Sequence, residues 1–328
     1  MEFVTLGTTN LPVAPIALGT WQLGGEWGTF SEQGAIDTIR RARELGINVF
    51  DTAQGYGFGV SERLLAHALR PELDANRDAI MIATKGGLRM TAAGLVRDSS
   101  REWLRRGVDD SLRALGVEYI DLYQVHWPDP RVPFAETAGA LDELTQEGKI
   151  RHVGVSNFSA SQMAEFARTR PVETNQVPYS LFRRDVETDV LPYALEHEVG
   201  VLAYGPLAHG LLTGALDEHT VFEPDDWRRG SPSFAGAAYH RNLRTVAELR
   251  HFAEHELDSS VAQLAVAWTL AGPAVPVTIV GARHARHIEE AVAATELQLG
   301  ADELERIDRI MAGAMAFAGP APEMMPTS

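Results

Sequence analysis

Asp51, Tyr56, Lys85 and His126 are four side chains whose types could together protonate a carbonyl oxygen. A phenol of unperturbed pKa ~10 gives up a proton near neutrality when a cation beside it stabilises the phenolate. Lys85 could supply that cation, and Asp51 could hold Lys85 in place as an ion pair. His126 could hydrogen-bond a substrate oxygen on which negative charge develops. Each residue also has a plain reading taken alone: Asp51 capping a turn, Tyr56 packed with its hydroxyl wet, Lys85 on the surface, His126 satisfied in the core. Position favours the joint reading. Asp51 closes the apolar run 47–50, Lys85 closes 80–83, His126 closes 120–125, and Tyr56 lies in the loop after Asp51. With no cysteine and no clustered metal ligands, no metal is expected, and the electrons for a reduction are read as hydride from a bound nicotinamide.

These run ends belong to a repeating pattern. Short β-branched or apolar runs recur at 16–19, 47–50, 80–83, 120–125, 152–155, 173–176, 199–203 and 277–280, which makes eight candidate strands. Helical patterns separate them, several opened by serine: Ser31 before Ile36, Ile39 and Ala42, Ser99 with Glu102 as a capping box, and Ser159 with Gln162 as another. Alternation of strand and helix argues for a parallel sheet with crossover helices, and eight repeats argue for an α/β fold closed into a (β/α)8 TIM barrel. In such a barrel the loops at the C-terminal strand ends converge on one mouth, and the four reactive residues all fall there.

Ahead of the first strand, Phe3-Val4-Thr5 and Leu11-Pro12-Val13 flank Gly7-Thr8-Thr9-Asn10, so residues 1–14 are expected to form a hairpin cap at the barrel bottom. Strand ends near 19, 51, 85, 126, 156, 176, 204 and 281 leave one long connection, after the seventh strand. Its residues 205–238, rich in Gly, Pro, Asp and small side chains, are expected to be a long functional or mobile loop. The tail 312–328 has no helical continuation and reads as loose. Neither piece reads as a separate domain, so 1–328 is expected to be one barrel domain.

Composition narrows the partners. The 328 residues are 45% hydrophobic and 23% charged, as in an ordinary globular chain with ample core. With 29 Lys+Arg against 45 Asp+Glu, the net charge of −16 repels phosphate backbones, so no nucleic acid is expected. Zero cysteines exclude disulfides, thiolate zinc sites and a cysteine nucleophile. Residues 261–282 are apolar and long enough to raise a membrane span, but Gly272-Pro273 and Pro276 break them into a helix, Val261–Leu270, and a strand, 277–280. No membrane partner is expected. The start Met1-Glu2-Phe3-Val4 lacks a basic and apolar leader, which reads as cytoplasmic. The acidic surface disfavours nonspecific self-association, making a monomer the default expectation.

Three longer motifs carry a likeness: Asp51-Thr52-Ala53-Gln54-Gly55-Tyr56-Gly57, Ala83-Thr84-Lys85-Gly86 and Tyr123-Gln124-Val125-His126-Trp127-Pro128-Asp129. They continue through Gly148-Lys149-Ile150-Arg151, Gly154-Val155-Ser156-Asn157-Phe158, Asn175-Gln176, Tyr204-Gly205-Pro206-Leu207 and Gly281-Ala282-Arg283, in order along nearly the whole chain. The sequence resembles the aldo-keto reductase superfamily. Among its branches it looks most like the bacterial one that includes inositol-operon reductases and is related to potassium-channel β subunits.

The resemblance implies a barrel that holds NADP(H) extended across its C-terminal face, without a Rossmann fold, and no Gly-x-Gly-x-x-Gly loop follows a strand here. It implies Tyr56 as proton donor, with Lys85, Asp51 and His126 completing the catalytic four. Ser156, Asn157 and Gln176 would hydrogen-bond the carboxamide, and Tyr204 would stack on the nicotinamide. The remaining cofactor contacts are read as Thr20, Trp21, Asp51, Gly205, Pro206, Leu207, Gly210, Gly281, Ala282, Arg283, His287 and Glu290.

Arg283, His284, Arg286 and His287 form a basic cluster after the last strand, and a 2′-phosphate needs such donors, which favours NADP(H) over NAD(H). The pattern departs from the family where His287 replaces the more usual Arg or Gln and Ala291 replaces a common Asn. Trp21, Trp27 and Trp127 are expected to wall an apolar pocket for a small-molecule carbonyl substrate, or else to be packing residues. The function expected is NADPH-dependent reduction of aldehydes and ketones to alcohols. Two other classes stay open: a nucleotide-binding regulatory protein like the channel β subunits, and a lyase using Lys85 as a Schiff base, against which Asp51 argues.

Overall fold

The computed structural model describes residues 1–24, 30–92, 94–223 and 226–317. Eight parallel strands close into a barrel in sequence order: Ile16–Gly19, Val49–Asp51, Met81–Gly86, Ile120–Val125, Ile150–Ser156, Thr174–Pro178, Gly200–Tyr204 and Val277–Gly281. The eighth closes on the first, with Gly281 opposite Gly19 and Val280 opposite Leu18. The strands are buried throughout their apolar length because the interior is filled by one set of side chains and the helices cover the other. Ala17, Val49, Met81, Ala83, Leu122, Leu202, Val277 and Ile279 form the interior set. The alternate residues, among them Phe50, Ile82, Tyr123, Val125 and Val155, join the larger core under the helices.

The N-terminal hairpin plugs the bottom of that interior. Val4 and Thr5 pair with Val13 and Pro12, and Leu6 and Val13 pack into the interior set. Burying each contributes on the order of 1.5–3 kcal/mol. Gly7 sits at φ +52, and a Cβ there would stand 2.3 Å from the backbone nitrogen of Gly200, so only glycine lets the hairpin approach the seventh strand. Asn48 pins the other arm by accepting from Ala14 N at 2.8 Å and donating to Pro12 O at 2.9 Å.

Several helix starts follow the sequence. Ser31 caps Glu32–Glu44, and Ser159 with Gln162 forms a capping box on Ala160–Phe166. The expected box at Ser99 and Glu102 does not form. Ser99 is buried, its hydroxyl accepting from Thr137, so the cap of Arg101–Leu115 moves to Ser100, which accepts from Trp103 N. A second hairpin, Leu88–Thr91 with Gly94–Arg97, follows the third strand and has no counterpart in the sequence reading.

The long connection after the seventh strand is more ordered than a plain loop. It holds short turns of 3₁₀ helix at Ala208–Thr213, Trp227–Gly230 and Pro232–Phe234, and the helix Gly236–Glu256 begins inside the span 205–238 read as loop. Phe234 packs edge-on against Phe222 and Trp227 and tilted against Phe317. The start of the expected loose tail is likewise tied down: Met315 N donates to Asn242 Oδ1 at 2.8 Å and Phe317 N to Phe182 O at 3.1 Å. Among the described residues no helix is long and apolar enough to cross a membrane.

Candidate active site

Lys85 and Asp51 end adjacent strands and are 1% and 3% exposed. The Lys85 ammonium donates to Asp51 Oδ1 at 2.6 Å, Thr52 O at 2.9 Å and Tyr56 Oη at 3.3 Å, which engages all three of its hydrogens. Burial pushes the Lys85 pKa down while the Asp51 charge and hydrogen bond pull it back up. A cation buried this deeply persists only with such partners.

Tyr56 reaches the ammonium from a tight loop. Gln54 N donates to Lys85 O at 3.0 Å, Tyr56 N to Ala53 O at 3.1 Å and Ser61 N to Tyr56 O at 3.3 Å. Gly57, at φ +59, passes so near Gly24 that a Cβ would meet its carbonyl oxygen at 2.5 Å. The Trp21 ring stacks on Tyr56 at 6.3 Å, and His126 meets it edge-on at 5.7 Å. His126 is anchored through its backbone amide N–H, which donates to Gly86 O at 2.9 Å. Burial first, and Lys85 second, hold its pKa well below the ordinary histidine value, so the ring is neutral near pH 7 and can donate from one nitrogen.

A cavity of about 740 Å³ opens over these groups and runs to the N-terminal turn of the helix Ala285–Ala293. Asp51, Tyr56 and His126 line it, whereas Lys85 lies behind them. Next to them lie Ser156, Asn157, Gln176 and Tyr204 in a linked set. Asn157 donates to Ser156 Oγ and to His126 O, both at 3.1 Å, and accepts from Tyr204 Oη at 3.0 Å. Ser156 donates to Gln176 O at 2.9 Å, and Gln176 donates to Asp51 Oδ2 at 2.7 Å. Asn157 holds this position in the left-handed region, at φ +63.

Of the other residues read as cofactor contacts, Trp21, Gly205, Pro206, Leu207, Gly210, Gly281, Arg283, His287 and Glu290 line the cavity. Thr20 and Ala282 do not. The Thr20 hydroxyl turns into a buried knot, donating to Asp51 O at 3.0 Å and accepting from Ser61 Oγ at 2.7 Å, and Ala282 packs in the helix-side core. Trp127 lines the cavity with the Arg97 guanidinium 4.8 Å from its ring centre, whereas Trp27 lies outside the described residues. Leu88 and Leu95 come from the second hairpin, and Gln22, His209 and Arg228 also line the walls. These residues carried no sequence signal beyond their loops' position at the mouth.

The donor set fits a nicotinamide dinucleotide. Amide and hydroxyl groups that both donate and accept surround an aromatic ring at one end, and Arg283, Arg286 and His287 gather at the other. The His287 pKa is held down by burial first and then by Arg286 and His284, so the arginines carry the charge there near neutrality.

A family model described as "Aldo/keto reductase family" matches residues 15–312. The chain is 40% identical to the aldo-keto reductase YhdN of Bacillus subtilis over 95% of its own length and 94% of that protein. It superposes on the glycerol dehydrogenase AKR11B4 from Gluconobacter oxydans with a TM-score of 0.88 at 38% identity, over 99% of both chains. An aldo-keto reductase from Klebsiella pneumoniae in complex with NADPH gives a TM-score of 0.75 at 29% identity, over 94% of this chain and 95% of that one. With a closed eight-stranded barrel, these residues gathered at its mouth and matches that span nearly the whole chain, the protein is an oxidoreductase of the aldo/keto reductase family.

Proposed function

We propose that the protein reduces aldehydes and ketones to alcohols with NADP(H), Tyr56 donating the proton. The observation that carries this reading is the Lys85 ammonium 3.3 Å from the Tyr56 hydroxyl, with Asp51 2.6 Å behind it. When bound, the cofactor supplies hydride to the carbonyl carbon. The neutral His126 ring donates a hydrogen bond to the carbonyl oxygen and orients it toward Tyr56. As negative charge grows on that oxygen, Tyr56 Oη passes its proton over, and Lys85 stabilises the phenolate left behind. The same groups run in reverse for alcohol oxidation, the direction named for the similar glycerol dehydrogenase.

Ser156, Asn157 and Gln176 would hold the carboxamide, Tyr204 would lie against the nicotinamide ring, and residues 205–207 and 210 would hold the pyrophosphate. Arg283, with Arg286 and His287, takes the 2′-phosphate, as suits the similarity to a structure solved with NADPH. The substrate is an uncharged, largely apolar carbonyl, because Trp21, Leu88, Leu95 and Trp127 wall the cavity beside Tyr56. A Schiff-base role for Lys85 is disfavoured, since all three ammonium hydrogens are engaged and Asp51 holds the amine charged.

The test is NADPH oxidation followed at 340 nm with aromatic and aliphatic aldehydes, beside the Tyr56→Phe variant. Turnover by the wild type and loss of about 10²–10⁴-fold in the variant, with NADPH binding intact, support the reading. Tight NADPH binding without turnover of any aldehyde favours a regulatory nucleotide-binding role instead.

A further inference from the structure

Glu62 is 1% exposed, yet neither the proposed chemistry nor the cofactor cleft uses it. It lies two residues into the helix Val60–Ala68, which follows directly on the Tyr56 loop, and its Oε1 accepts from Thr84 Oγ1 at 2.7 Å. Thr84 neighbours Lys85. In a strand adjacent side chains face opposite sides, so Lys85 points into the barrel and Thr84 points back at the helix. The segments 54–62 and 84–85 are therefore joined three times: Gln54 N to Lys85 O at 3.0 Å, Lys85 Nζ to Tyr56 Oη at 3.3 Å, and Thr84 to Glu62 behind the barrel wall.

The chamber around Glu62 is closed and polar. Tyr123 from the fourth strand and Ser111 from the helix Arg101–Leu115 face it, and beside them Tyr123 Oη and Gln54 Oε1 have no hydrogen-bond partner among the described residues. Gly107 leaves room for them, since a Cβ there would stand 2.9 Å from Tyr123 Oη and 3.0 Å from Gln54 Oε1. In so buried a setting a charge acts across the wall with less screening than in water.

We propose that Glu62 is a positioning residue: its buried carboxylate braces the Tyr56 loop against the strand that carries Lys85, and supplies that ammonium with a second negative charge beside Asp51. The charged groups that face it set its state. Burial pushes the carboxyl up from its ordinary range, Asp110 adds to that, and the Ser111 and Thr84 hydroxyls with Arg63 pull it down. The cation it acts on is Lys85, whose charge it favours from across the wall. Burial, Glu62 and Asp110 together push the Tyr123 hydroxyl up, so that group stays a neutral phenol.

This inference rests on Tyr56 being the proton donor. The experiment is the pH profile of kcat/KM for aldehyde reduction in wild type, Glu62→Gln, Thr84→Val and Tyr56→Phe, with NADPH affinity and melting temperature measured for each. Removing a negative charge lets the site lose its proton sooner, so the basic limb in Glu62→Gln is expected to move to lower pH by about half a unit or more. Thr84→Val, which keeps the strand's packing and removes the hydroxyl that donates to Glu62, is expected to move the limb the same way by less. An unchanged limb in both variants overturns the inference, whatever happens to rate or melting temperature, because a purely structural brace leaves the profile in place. Full activity in Tyr56→Phe would instead overturn the reading of Tyr56 itself.

Discussion

Gln176 donates its side-chain amide to Asp51 Oδ2 at 2.7 Å, from the sixth barrel strand to the second. Asp51 is thus held on both sides, by Lys85 on one oxygen and Gln176 on the other. A residue read as a nicotinamide contact therefore also orients the ion pair behind Tyr56. Gln176→Leu should lower kcat by roughly 10–100-fold, the scale of losing a hydrogen bond to a charged group, and should also weaken NADPH binding. The check is a double-mutant cycle with Asp51→Asn. Additive losses in kcat would show that the two residues act apart.

At the far end of the cleft, Arg283 stands near Asp226, a carboxylate that Arg228 also holds. In the proposed binding mode Arg283 meets a 2′-phosphate that NADH lacks. Arg283→Ala is expected to raise KM for NADPH by roughly 10–100-fold, as for a lost charge-assisted hydrogen bond, and to leave KM for NADH nearly unchanged. Steady-state kinetics with both cofactors decide it, and equal effects on the two would remove the phosphate assignment.

The strands were most legible where both faces are apolar and least where they turn polar at the site. Ile120–Val125 matches its sequence reading at both ends, whereas the third strand runs on to Gly86 because Thr84 and Lys85 are polar side chains that the barrel buries. Periodicity cannot tell a buried polar residue from a loop. Asp51, Tyr56, Lys85 and His126 stood out together because three sit at strand ends and Tyr56 in the loop just after one, but which way a neighbour points was not legible: Thr20 and Ala282 lie beside lining residues and face elsewhere. Glu62 sits on a helix, where a glutamate normally meets water, and it is buried against Thr84, Ser111 and Tyr123 from distant parts of the chain. The long loop's order was hidden for the same reason, since Phe234, Phe317 and Phe182 meet from far-apart parts of the chain.

His126 ties stability to pH. Its folded pKa is depressed, chiefly by burial, below the ~6.5 that it regains on unfolding. Above that value neither state takes up the proton and the residue has no pH-dependent effect. As pH falls below it the unfolded chain binds a proton that the folded one refuses, so stability is lost progressively toward the folded pKa. Melting temperatures of wild type and His126→Gln, compared at pH 7.5 and 5.5, should show a smaller acid loss in the variant. Parallel curves would mean that other groups govern the acid limb.

The segment that walls the cleft at His209 is strained and held from outside. Ala208 and His209 adopt φ +47 and +54, followed by Gly210 at φ +98. For a non-glycine residue the left-handed conformation costs roughly 1–2 kcal/mol, so something must stabilise the turn. Arg228 Nη1 donates to His209 O at 3.0 Å, and the His209 ring stacks on Phe317 at 6.0 Å. Phe317 in turn stacks on Phe182 at 5.7 Å and packs against Phe234 at 5.6 Å. Each such aromatic pair is worth about 0.5–1.5 kcal/mol beyond its burial, which is of the same order as the strain. Phe317→Ala should therefore release the turn, although the residue lies far along the chain from it. The expected result is weaker NADPH binding by up to about tenfold, the scale of losing the one pair that touches the turn, His209 with Phe317, and faster proteolysis near residues 208–213. Fluorescence titration with NADPH and limited proteolysis measure the two effects. If Phe317→Ala lowers only the melting temperature and leaves both readings unchanged, the C-terminal segment stabilises the fold without shaping the cleft.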